Sequence, residues 1–426
     1  MTHNLRSNCR QENDPKILQL AEVFTDKKRY YEEALELLDK TGPLSPGLTM
    51  KRWRTRDELD ALLMQTVEGL LPKGTAENGD PLTPRQAFNR LLGLYENGHV
   101  NNQDYAFRDR LKLDGVQCLA PYRGGNGGTV TVNSAIQTRF RRNDDSSELT
   151  PFYHSDKVIQ IANYYRGWGK DRELALSNGS IGIFTEGRSG RKYYFPDAER
   201  PFSYLDDEDL DLAYAITVHK AQGSDFEHVL LVIPERLTLL TKELVYTALT
   251  RSRQQLTIFL QQTEKNLLEV ARNRSSLLNR NTSIFDVPAD NKNGYQPRKG
   301  VFVKSRIEYI IYKALEKSGL EFKYEEKLPL AKRTYAIKPD FTIFFKDDTR
   351  IFWEHLGKLD CRKYSRDWQR RLLDFKEHGH LDAVVTTDDL EGIDNERIDH
   401  VIQDIRNRKP ATTKGNAFSN HHYKLY

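Results

Sequence analysis

The chain has 426 residues, of which 38% are hydrophobic and 30% are charged. This composition excludes a disordered chain and favours globular cores with charged surfaces, and the length suffices for two or three domains of roughly 100–200 residues each. The formal net charge is only +4, from 65 basic and 61 acidic residues, so a basic groove for nucleic acid would have to be local.

The N-terminal third of the chain predicts helices, then a strand and a glycine-rich loop. Residues 1–40 are predicted to be helical, because apolar residues recur there with helical spacing. Residues 41–115 are charged and are punctuated by Pro and Gly. Residues 116–119 predict a short strand, and the glycine-rich run 124–128 follows it.

The middle of the chain predicts two kinds of β-structure. Residues 150–200 predict short strands with turns, and Asn178-Gly179 is a strong hairpin signal. Residues 212–262 predict strand, loop, strand, helix and strand, with apolar runs at Ala213–Val218, Val229–Ile233, Leu244–Leu249 and Leu256–Leu260. Near-continuous apolar strands alternating with helices are typical of a buried parallel sheet, so we predict an α/β fold.

A second domain is predicted after a linker. Residues 273–300 are rich in Asn, Arg, Ser, Pro and Gly, which favours a linker there. Residues 301–408 then predict helix, strand, hairpin-like strands, helix and strand. The polar tail at 409–426 is predicted to be flexible.

A polar loop follows one of the predicted buried strands. Residues 215–226 begin as an apolar strand and continue as His-Lys-Ala-Gln-Gly-Ser-Asp before Phe226. Such loops at the carboxyl ends of parallel strands are where α/β sheets bind ligands. Farther on, residues 245–253 predict a helix with one apolar face, which ends in Arg251 and Arg253.

These two segments resemble motifs V and VI of superfamily 1 helicases, most closely the RecD-like branch. Further segments resemble motif IV, the strand and loop after it, and a small inserted β-barrel; they are Leu5–Gln11 with the helix at Ile17, Cys118–Thr129 with Asn133, and Asp156–Val158 with Asn178–Gly182. The resemblance covers roughly residues 1–262. It implies a RecA-like C-terminal helicase domain over 1–272, with the small β-barrel at about 150–205.

The resemblance also implies roles for individual residues. Arginines supplied by a second domain stabilise the charge that develops on the transferred phosphoryl group of ATP, and here these would be Arg10 and Arg251. Asp225 stands where the family usually has a Glu that contacts the ribose. Gln11 and Gly223 would complete this side of the nucleotide site. Thr217, His219, Lys220 and Arg123 would contact DNA or couple it to the nucleotide.

The phosphate-binding part of an ATP site is missing from the sequence. The pattern Gly-x-x-x-x-Gly-Lys-Ser/Thr does not occur, and the nearest strings, at 167–171 and 357–359, have the wrong spacing. The chain starts where the family's first RecA-like domain would be finishing. We therefore expect no ATP hydrolysis by the chain alone, and an ATP site shared with a missing N-terminal RecA-like domain, lost by truncation or carried by a separate chain.

The C-terminal region carries a second set of acidic residues. Glu308 lies near the start of a helix whose apolar residues recur at helical spacing, Asp340 lies in the predicted strand 336–343, and Glu354 lies in the predicted strand 350–357. Acids on two adjacent hairpin strands and on a packed helix make an oxygen-rich site for Mg²⁺ or Mn²⁺. The arrangement resembles the PD-(D/E)xK nuclease fold over roughly residues 300–390, and we place the nuclease domain at 301–408. It implies that Asp340, Glu354 and the His355 carbonyl are metal ligands and that Glu308 assists.

The basic residue of that fold is not in its usual place. It would lie two residues after Glu354, where this sequence has Leu356. The strand ending Trp-Glu-His-Leu-Gly and the helix after it resemble a variant subfamily fused to superfamily 1 helicases, in which the helix supplies the basic residue. This favours Arg371, with Lys376 and Lys358 as alternatives.

Together these features predict a Mg²⁺-dependent DNA nuclease fused to the second domain of a helicase, acting in repair, recombination or defence against foreign DNA. The alternatives are a non-catalytic DNA-binding or regulatory subunit, and a truncated fragment with no activity of its own. Three widely separated cysteines, the lack of a signal peptide and the lack of a membrane-spanning apolar run predict a cytoplasmic protein.

Overall fold

The computed structural model describes residues 14–25, 31–101, 106–142, 151–167, 173–187, 190–235, 240–272, 295–298, 300–329, 336–357, 362–388 and 395–407. The chain divides into two compact units, Met1–Asn281 and Thr282–Tyr426. Within the described ranges, no helix is both long and apolar enough to cross a membrane.

The first unit contains α1 (Pro15–Glu22), α2 (Tyr31–Asp39), β1 (Gly42–Ser45), β2 (Leu48–Trp53), α3 (Arg56–Gly69), α4 (Pro84–Leu91), α5 (Phe107–Arg110), β3 (Val116–Ala120), α6 (Thr129–Phe140), β4 (Lys157–Gln160), β5 (Tyr164–Arg166), β6 (Glu173–Leu176), β7 (Ile181–Gly187), β8 (Gly190–Tyr194), β9 (Leu210–Leu212), β10 (Ala215–Thr217), β11 (Phe226–Ile233), α7 (Lys242–Leu249), β12 (Ser252–Gln261) and α8 (Lys265–Arg272). Its described residues form the main sheet in the order β1-β2-β12-β11-β3-β10.

The main sheet is largely parallel, which confirms the mixed α/β prediction. The pairs β2/β12, β12/β11, β11/β3 and β3/β10 are all parallel, and only the edge strand β1 runs antiparallel to its neighbour. Alternate residues of β11 enter different cores, Val229 and Leu231 on one face and Leu230 and Val232 on the other. Both faces are therefore buried, and this explains the near-continuous apolar strands.

A smaller antiparallel sheet is inserted between α6 and β10. Among the described residues its order is β8-β7-β4-β9, beside a two-stranded ribbon of β5 and β6. It has its own apolar core, which includes Val158, Phe184 and Phe195. A closed barrel over 150–205 stays a prediction.

The hairpin predicted at Asn178-Gly179 is wrong in its pairing. A turn is present, since Ser180 N–H donates to the Ser177 carbonyl at 3.1 Å and Gly179 has a φ of +98°. However, β6 pairs with β5, and β7 pairs with β4 and β8. The reason is that the Gly179 N–H donates to the Gln160 carbonyl at the end of β4, so the turn is held there.

The second unit contains β13 (Tyr295–Arg298), β14 (Val301–Val303), α9 (Arg306–Ser318), β15 (Glu321–Tyr324), β16 (Leu328–Pro329), β17 (Ala336–Ile337), β18 (Phe341–Phe344), β19 (Arg350–Leu356), α10 (Arg362–Glu377), β20 (Val384–Asp388) and α11 (Asn395–Arg406). The order in its main sheet is β15-β18-β19-β20 over the described residues. The predicted hairpin is the antiparallel pair β18/β19, and β20 then pairs parallel to β19.

One predicted strand of this unit is broken. The sequence predicts a single strand over 336–343, but the structure has β17 and β18 with Lys338–Asp340 between them. Pro339 has no N–H to donate to a neighbouring strand, so the ladder stops there. The break places Asp340 outside the ladder, immediately before β18.

Candidate functional site

In the first unit, the candidate DNA-contacting residues gather at the carboxyl edge of the main sheet. Strands β3 and β10 are parallel neighbours, with Ala120 opposite Thr217 at their ends. The loops that follow them, 121–128 and 218–225, therefore leave the same edge of the sheet. This edge is where open α/β sheets bind ligands.

Asn133, on α6, fixes the approach of β10 to that edge. Its side-chain amide donates to the carbonyls of Leu212 and Ala215 at 3.1 and 2.9 Å, and its oxygen accepts the Ala215 N–H at 2.7 Å. Asn133 is 4% exposed, so these three bonds are shielded from water. The position of the loop after Thr217 thus depends on one buried amide.

Two of the predicted DNA-contacting cations converge on an acid that the motifs did not include. Arg123 donates to the Asp211 carboxylate at 2.8 Å, and the Lys220 ammonium lies 3.9 Å from the same oxygen. Thr217 and Lys220 are also in contact, since the Lys220 N–H donates to the Thr217 hydroxyl at 3.4 Å. The structure thus brings Arg123, Thr217 and Lys220 together, with Asp211 between the cations.

The remaining predicted residues of this loop lie at its exposed middle. His219 and Gly223 are exposed to solvent. Gly223 has a φ of +91°, a conformation that favours glycine, so its place in the loop follows from backbone geometry.

The candidate nucleotide-contacting residues lie where the same loop reaches the start of β11. Arg251 is 8% exposed, and its guanidinium donates to the carbonyls of Ser224 and Thr247 at 2.8 and 3.0 Å. Asp225 lies 3.6 Å from the Arg253 guanidinium. The 218–225 loop therefore carries Lys220 near its start, and the Ser224 carbonyl near its end accepts from Arg251. Arg10 and Gln11 lie outside the described residues.

In the second unit, Asp340 and Glu354 lie next to each other across the β18/β19 hairpin. Phe341 is opposite Trp353 in the ladder, and the His355 N–H donates to the Asp340 carboxylate at 2.7 Å. Glu354 is 3% exposed. Burial raises the pKa of both carboxyl groups above their ordinary values, and the Asp340 charge raises that of Glu354 further.

Arg371 is the candidate basic residue that reaches this pair. Its guanidinium lies 2.8 Å from a Glu354 carboxylate oxygen and also donates to the Lys338 carbonyl. Lys376, on the same helix, is exposed, and Lys358 lies outside the described residues. The geometry therefore associates Arg371 with Glu354.

Glu308 lies beside the pair but has partners of its own. Its carboxylate accepts from the Tyr324 hydroxyl at 2.5 Å and from the Lys304 N–H at 2.9 Å. Its charge also raises the pKa of Asp340, after the larger effect of burial, so the two acids are electrostatic neighbours. Tyr324 and Lys304 were not among the predicted site residues, since no local pattern marks either of them.

The carboxylates of this site provide part of the ligand set that a hard divalent cation needs. Over the described ranges, no three or more His, Cys, Asp or Glu side chains gather in a way that could hold a metal ion. Asp340 and Glu354 remain as two buried carboxylates, and Mg²⁺ is commonly held by one or two carboxylates together with waters. A divalent cation would also offset the repulsion that raises their pKa values. The pair can therefore supply two of the oxygen ligands that Mg²⁺ or Mn²⁺ needs, and, in the part of the chain that the structure describes, Glu308 does not complete a three-acid site.

The His355 side chain does not join that site. Its Nδ1 lies 3.1 Å from the Thr387 hydroxyl, and burial lowers its pKa to about 4. Successive side chains of a strand point to opposite faces, so the imidazole is on the other side of β19 from Glu354. At neutral pH it is an uncharged, buried ring.

Comparison with known proteins gives a helicase match in the first unit. A model of the UvrD-like helicase C-terminal domain matches residues 212–259, which include Thr217, Lys220, Asp225 and Arg251. Residues 212–259 are therefore similar to the C-terminal domain of UvrD-like helicases.

Several curated relatives match longer stretches. An uncharacterized protein of Methanocaldococcus jannaschii is 32% identical over 66% of this chain and 26% of its own length. The RecBCD enzyme subunit RecD of Mycobacterium tuberculosis is 29% identical over 34% of this chain and 25% of its own. The ATP-dependent RecD2 DNA helicase of Deinococcus radiodurans is 32% identical over 32% of this chain and 19% of its own. The chain thus has superfamily 1 DNA helicase homologues and spans about a quarter or less of their length.

Among solved structures, Bacteroides Pif1 bound to single-stranded DNA is 16% identical, with a TM-score of 0.24 over 37% of this chain and 45% of that one. A likeness at this level carries no argument about function.

Proposed function

We propose that this chain, which has superfamily 1 DNA helicase homologues, is the C-terminal part of an ATP-dependent DNA helicase–nuclease. Its first unit contributes arginines to an ATP site, and its second unit cleaves DNA phosphodiesters with Mg²⁺. The observation that carries the nuclease part is the buried pair of Asp340 and Glu354, with Arg371 against Glu354. The homology carries the helicase part.

In the ATP site, Arg251 would act on the transferring phosphoryl group. Two backbone carbonyls hold its guanidinium, so little side-chain freedom is left to lose when it meets a charged phosphate. Asp225 would approach the ribose with a shorter side chain than the usual Glu. A RecA-like domain with a phosphate-binding loop would complete the site, because such a loop is needed to hold the β-phosphate.

On the DNA side, Arg123 and Lys220 would contact backbone phosphates. The Asp211 carboxylate offsets part of their positive charge. Removing a cation and removing this carboxylate should therefore change DNA affinity in opposite directions. Lys220→Ala should weaken DNA binding and reduce the slope of log affinity against log salt by about 1. Asp211→Asn should strengthen binding, because it removes a carboxylate that competes with phosphate. Fluorescence anisotropy over a salt series measures both, and weaker binding by Asp211→Asn would contradict this placement.

In the nuclease site, the bound Mg²⁺ would supply a Lewis acid beside the scissile phosphate and a more acidic water. Asp340 and Glu354 would be the carboxylate ligands of this cation. The His355 N–H, on the neighbouring strand, donates to the Asp340 carboxylate and fixes its position. Arg371 supplies positive charge next to Glu354, where it can turn towards a phosphate oxygen.

The experiment is a cleavage assay on the whole purified chain, with linear duplex and single-stranded DNA and either Mg²⁺ or Mn²⁺. Asp340→Asn should reduce cleavage on the order of 100-fold or more, as removal of one charge-stabilising group does elsewhere. Asp367→Asn, at an exposed acid of α10, is the matched control and should cleave normally. Absence of cleavage, or equal cleavage by Asp340→Asn, would remove the nuclease proposal.

A second candidate is a non-catalytic DNA-binding or regulatory subunit. The ion pair of Arg371 with Glu354 favours it, because the guanidinium places a positive charge 2.8 Å from the buried acid without a metal ion. In this case ATPase activity should appear only when a chain carrying the phosphate-binding loop is added, and Arg251→Ala should abolish it.

A further inference from the structure

The second unit contains an open cavity of about 440 Å³ that none of the roles above uses. It is lined by Gly300, Val301, Phe302, Tyr312, Phe322, Lys323, Tyr324 and Glu326. These residues come from the end of the β13–β14 connection, from β14, from α9, and from the edge strand β15 and the segment after it. Four of the eight are aromatic, and Lys323 and Glu326 add charged groups.

The aromatic walls are supported from behind. Phe322 and Tyr324 are two residues apart on β15 and so lie on the same face of that strand. Their rings pack against the fully buried Phe341, with ring centroids 6.1 and 5.5 Å away. Tyr312 meets Phe322 edge-on at 4.9 Å. Phe302, which also lines the cavity, is 51% exposed. Rings packed on a buried neighbour thus line the cavity together with an exposed ring, which leaves ring surface available for stacking.

The cavity adjoins the acidic residues of the candidate nuclease site. The Tyr324 hydroxyl donates to Glu308 at 2.5 Å, and Tyr324 is the ladder partner of Phe341, the residue after Asp340. The Glu325 N–H donates to the Asp340 carbonyl at 3.1 Å. The C-terminal end of β15 therefore lines the cavity, and the residue that follows it contacts Asp340.

Lys323 lines the cavity and Lys304 contacts Tyr324 of its lining, and each makes an ion pair in which the lysine side chain is mostly exposed. Lys323 pairs with Glu326 at 2.6 Å with 61% of its side chain exposed, and Lys304 pairs with Glu325 with 73% exposed. Exposed pairs of this kind contribute about 0–1 kcal/mol, so a phosphate can replace the carboxylate at little cost. The rim can thus hold a phosphodiester while the walls hold a base.

We propose that this cavity binds an unpaired nucleobase of a DNA strand, next to the phosphate presented to Asp340 and Glu354. Stacking on aromatic rings is tolerant of sequence, because every base has a flat π-face. A base inside a duplex is paired and stacked and would first have to leave the helix, which costs a few kcal/mol. The inference rests on the proposed nuclease function and gives it a substrate class, single-stranded or frayed DNA.

The test uses the whole chain, a short thymidine oligonucleotide with one 5-iodouracil, and no divalent metal, so that binding is measured without cleavage. Photo-cross-linking should place the iodouracil on a peptide within residues 300–326. Phe302→Leu keeps an apolar side chain but removes the ring, and it should reduce this cross-link and the associated affinity about five- to a hundred-fold, the range for loss of one stacked base. Phe302→Tyr keeps the ring and should cross-link as the parent chain does.

Leu381→Ala, at another exposed apolar residue of the second unit, is the control and should change nothing. Equal cross-linking by the parent chain and Phe302→Leu, or cross-links confined to other peptides, would overturn the inference. Failure of the nuclease proposal gives a different pattern, since the Phe302 effect on binding would persist while added Mg²⁺ produced no cleavage.

Discussion

At the scale of single residues, the first unit contains a buried lysine whose ammonium donates to uncharged oxygens. Lys157 is 1% exposed, and its ammonium donates to the carbonyls of Leu113 and Val116 and to the Gln117 side chain at 2.7, 3.1 and 3.0 Å. Burial lowers its pKa to about 8, although Cys118 and Asp114 act in the opposite direction. The three oxygens that accept from its ammonium are all neutral.

This lysine should make stability depend on pH in the alkaline range. In the folded chain it releases its proton near pH 8, whereas the unfolded chain keeps that proton until about pH 10.5. The unfolded state binds more protons between these values, so stability should rise with pH there, by about 3 kcal/mol in all, and be lost again as pH falls through 8. Lys157→Met should remove this rise, although it lowers stability overall by leaving three oxygens without a donor.

Urea unfolding at pH 7 to 10 measures the effect as the difference in slope between Lys157→Met and the parent chain. Lys40→Met, at an exposed lysine, is the control. Identical slopes for Lys157→Met and the parent would show that Lys157 keeps an ordinary pKa.

Local sequence order was sufficient to nominate some candidate site residues but not the residues they contact. Thr217, Lys220 and Arg251 follow from motif order, because each lies at a fixed place in a strand–loop or helix–loop segment. Asp211 and Tyr324 do not follow from it, because their roles arise from contacts with residues far away in sequence or on another element.

At the scale of elements, the start of α6 depends on a close backbone approach. A Cβ on Gly128, the N-cap residue, would lie 2.1 Å from the Gly124 carbonyl oxygen and 2.5 Å from that of Arg123. Both are main-chain atoms, so they cannot move aside as a flexible side chain could. Only glycine therefore fits at position 128 while the 121–128 loop keeps this conformation.

Gly128→Ala should destabilise the first unit by about 1–3 kcal/mol, the usual cost of overpacking, and should weaken DNA binding by displacing Arg123. Gly69→Ala is the matched control, since a Cβ there meets nothing within 4 Å and alanine is a better helix residue than glycine. It should be neutral or slightly stabilising. Thermal unfolding and anisotropy compare the two, and equal stability for both variants would contradict the steric argument.

The elements that sequence predicted best are those whose burial is uniform. Strand β11 is apolar along most of its length because helices cover both faces of the main sheet, and its identity was clear from composition. The break at Pro339 and the pairing after Asn178-Gly179 were not predicted, because both depend on which neighbouring strand supplies or accepts a hydrogen bond. Helix α11 was also missed.

At the scale of the whole molecule, each unit has an apolar core of its own. In the first unit, Phe259 is fully buried in a cluster on one face of the main sheet. In the second unit, Phe375 of α10 is fully buried with Phe352 of β19, their ring centroids 5.6 Å apart. The predicted boundary at 273–300 was drawn from composition, and the division after Asn281 comes from contacts.

Because each unit has its own core, we expect a substitution in one core to lower the stability of that unit alone. Phe375→Ala should cost about 3–5 kcal/mol, from lost burial and the cavity left behind. For a unit of this size that corresponds to a fall in melting temperature on the order of 10 °C. Calorimetry should then show one transition shifted and the other in place, and Phe259→Ala should shift the other transition instead. If either variant moved both transitions by the same amount, the two cores would have to be one cooperative structure, and the second unit could not be treated as a nuclease domain with stability of its own.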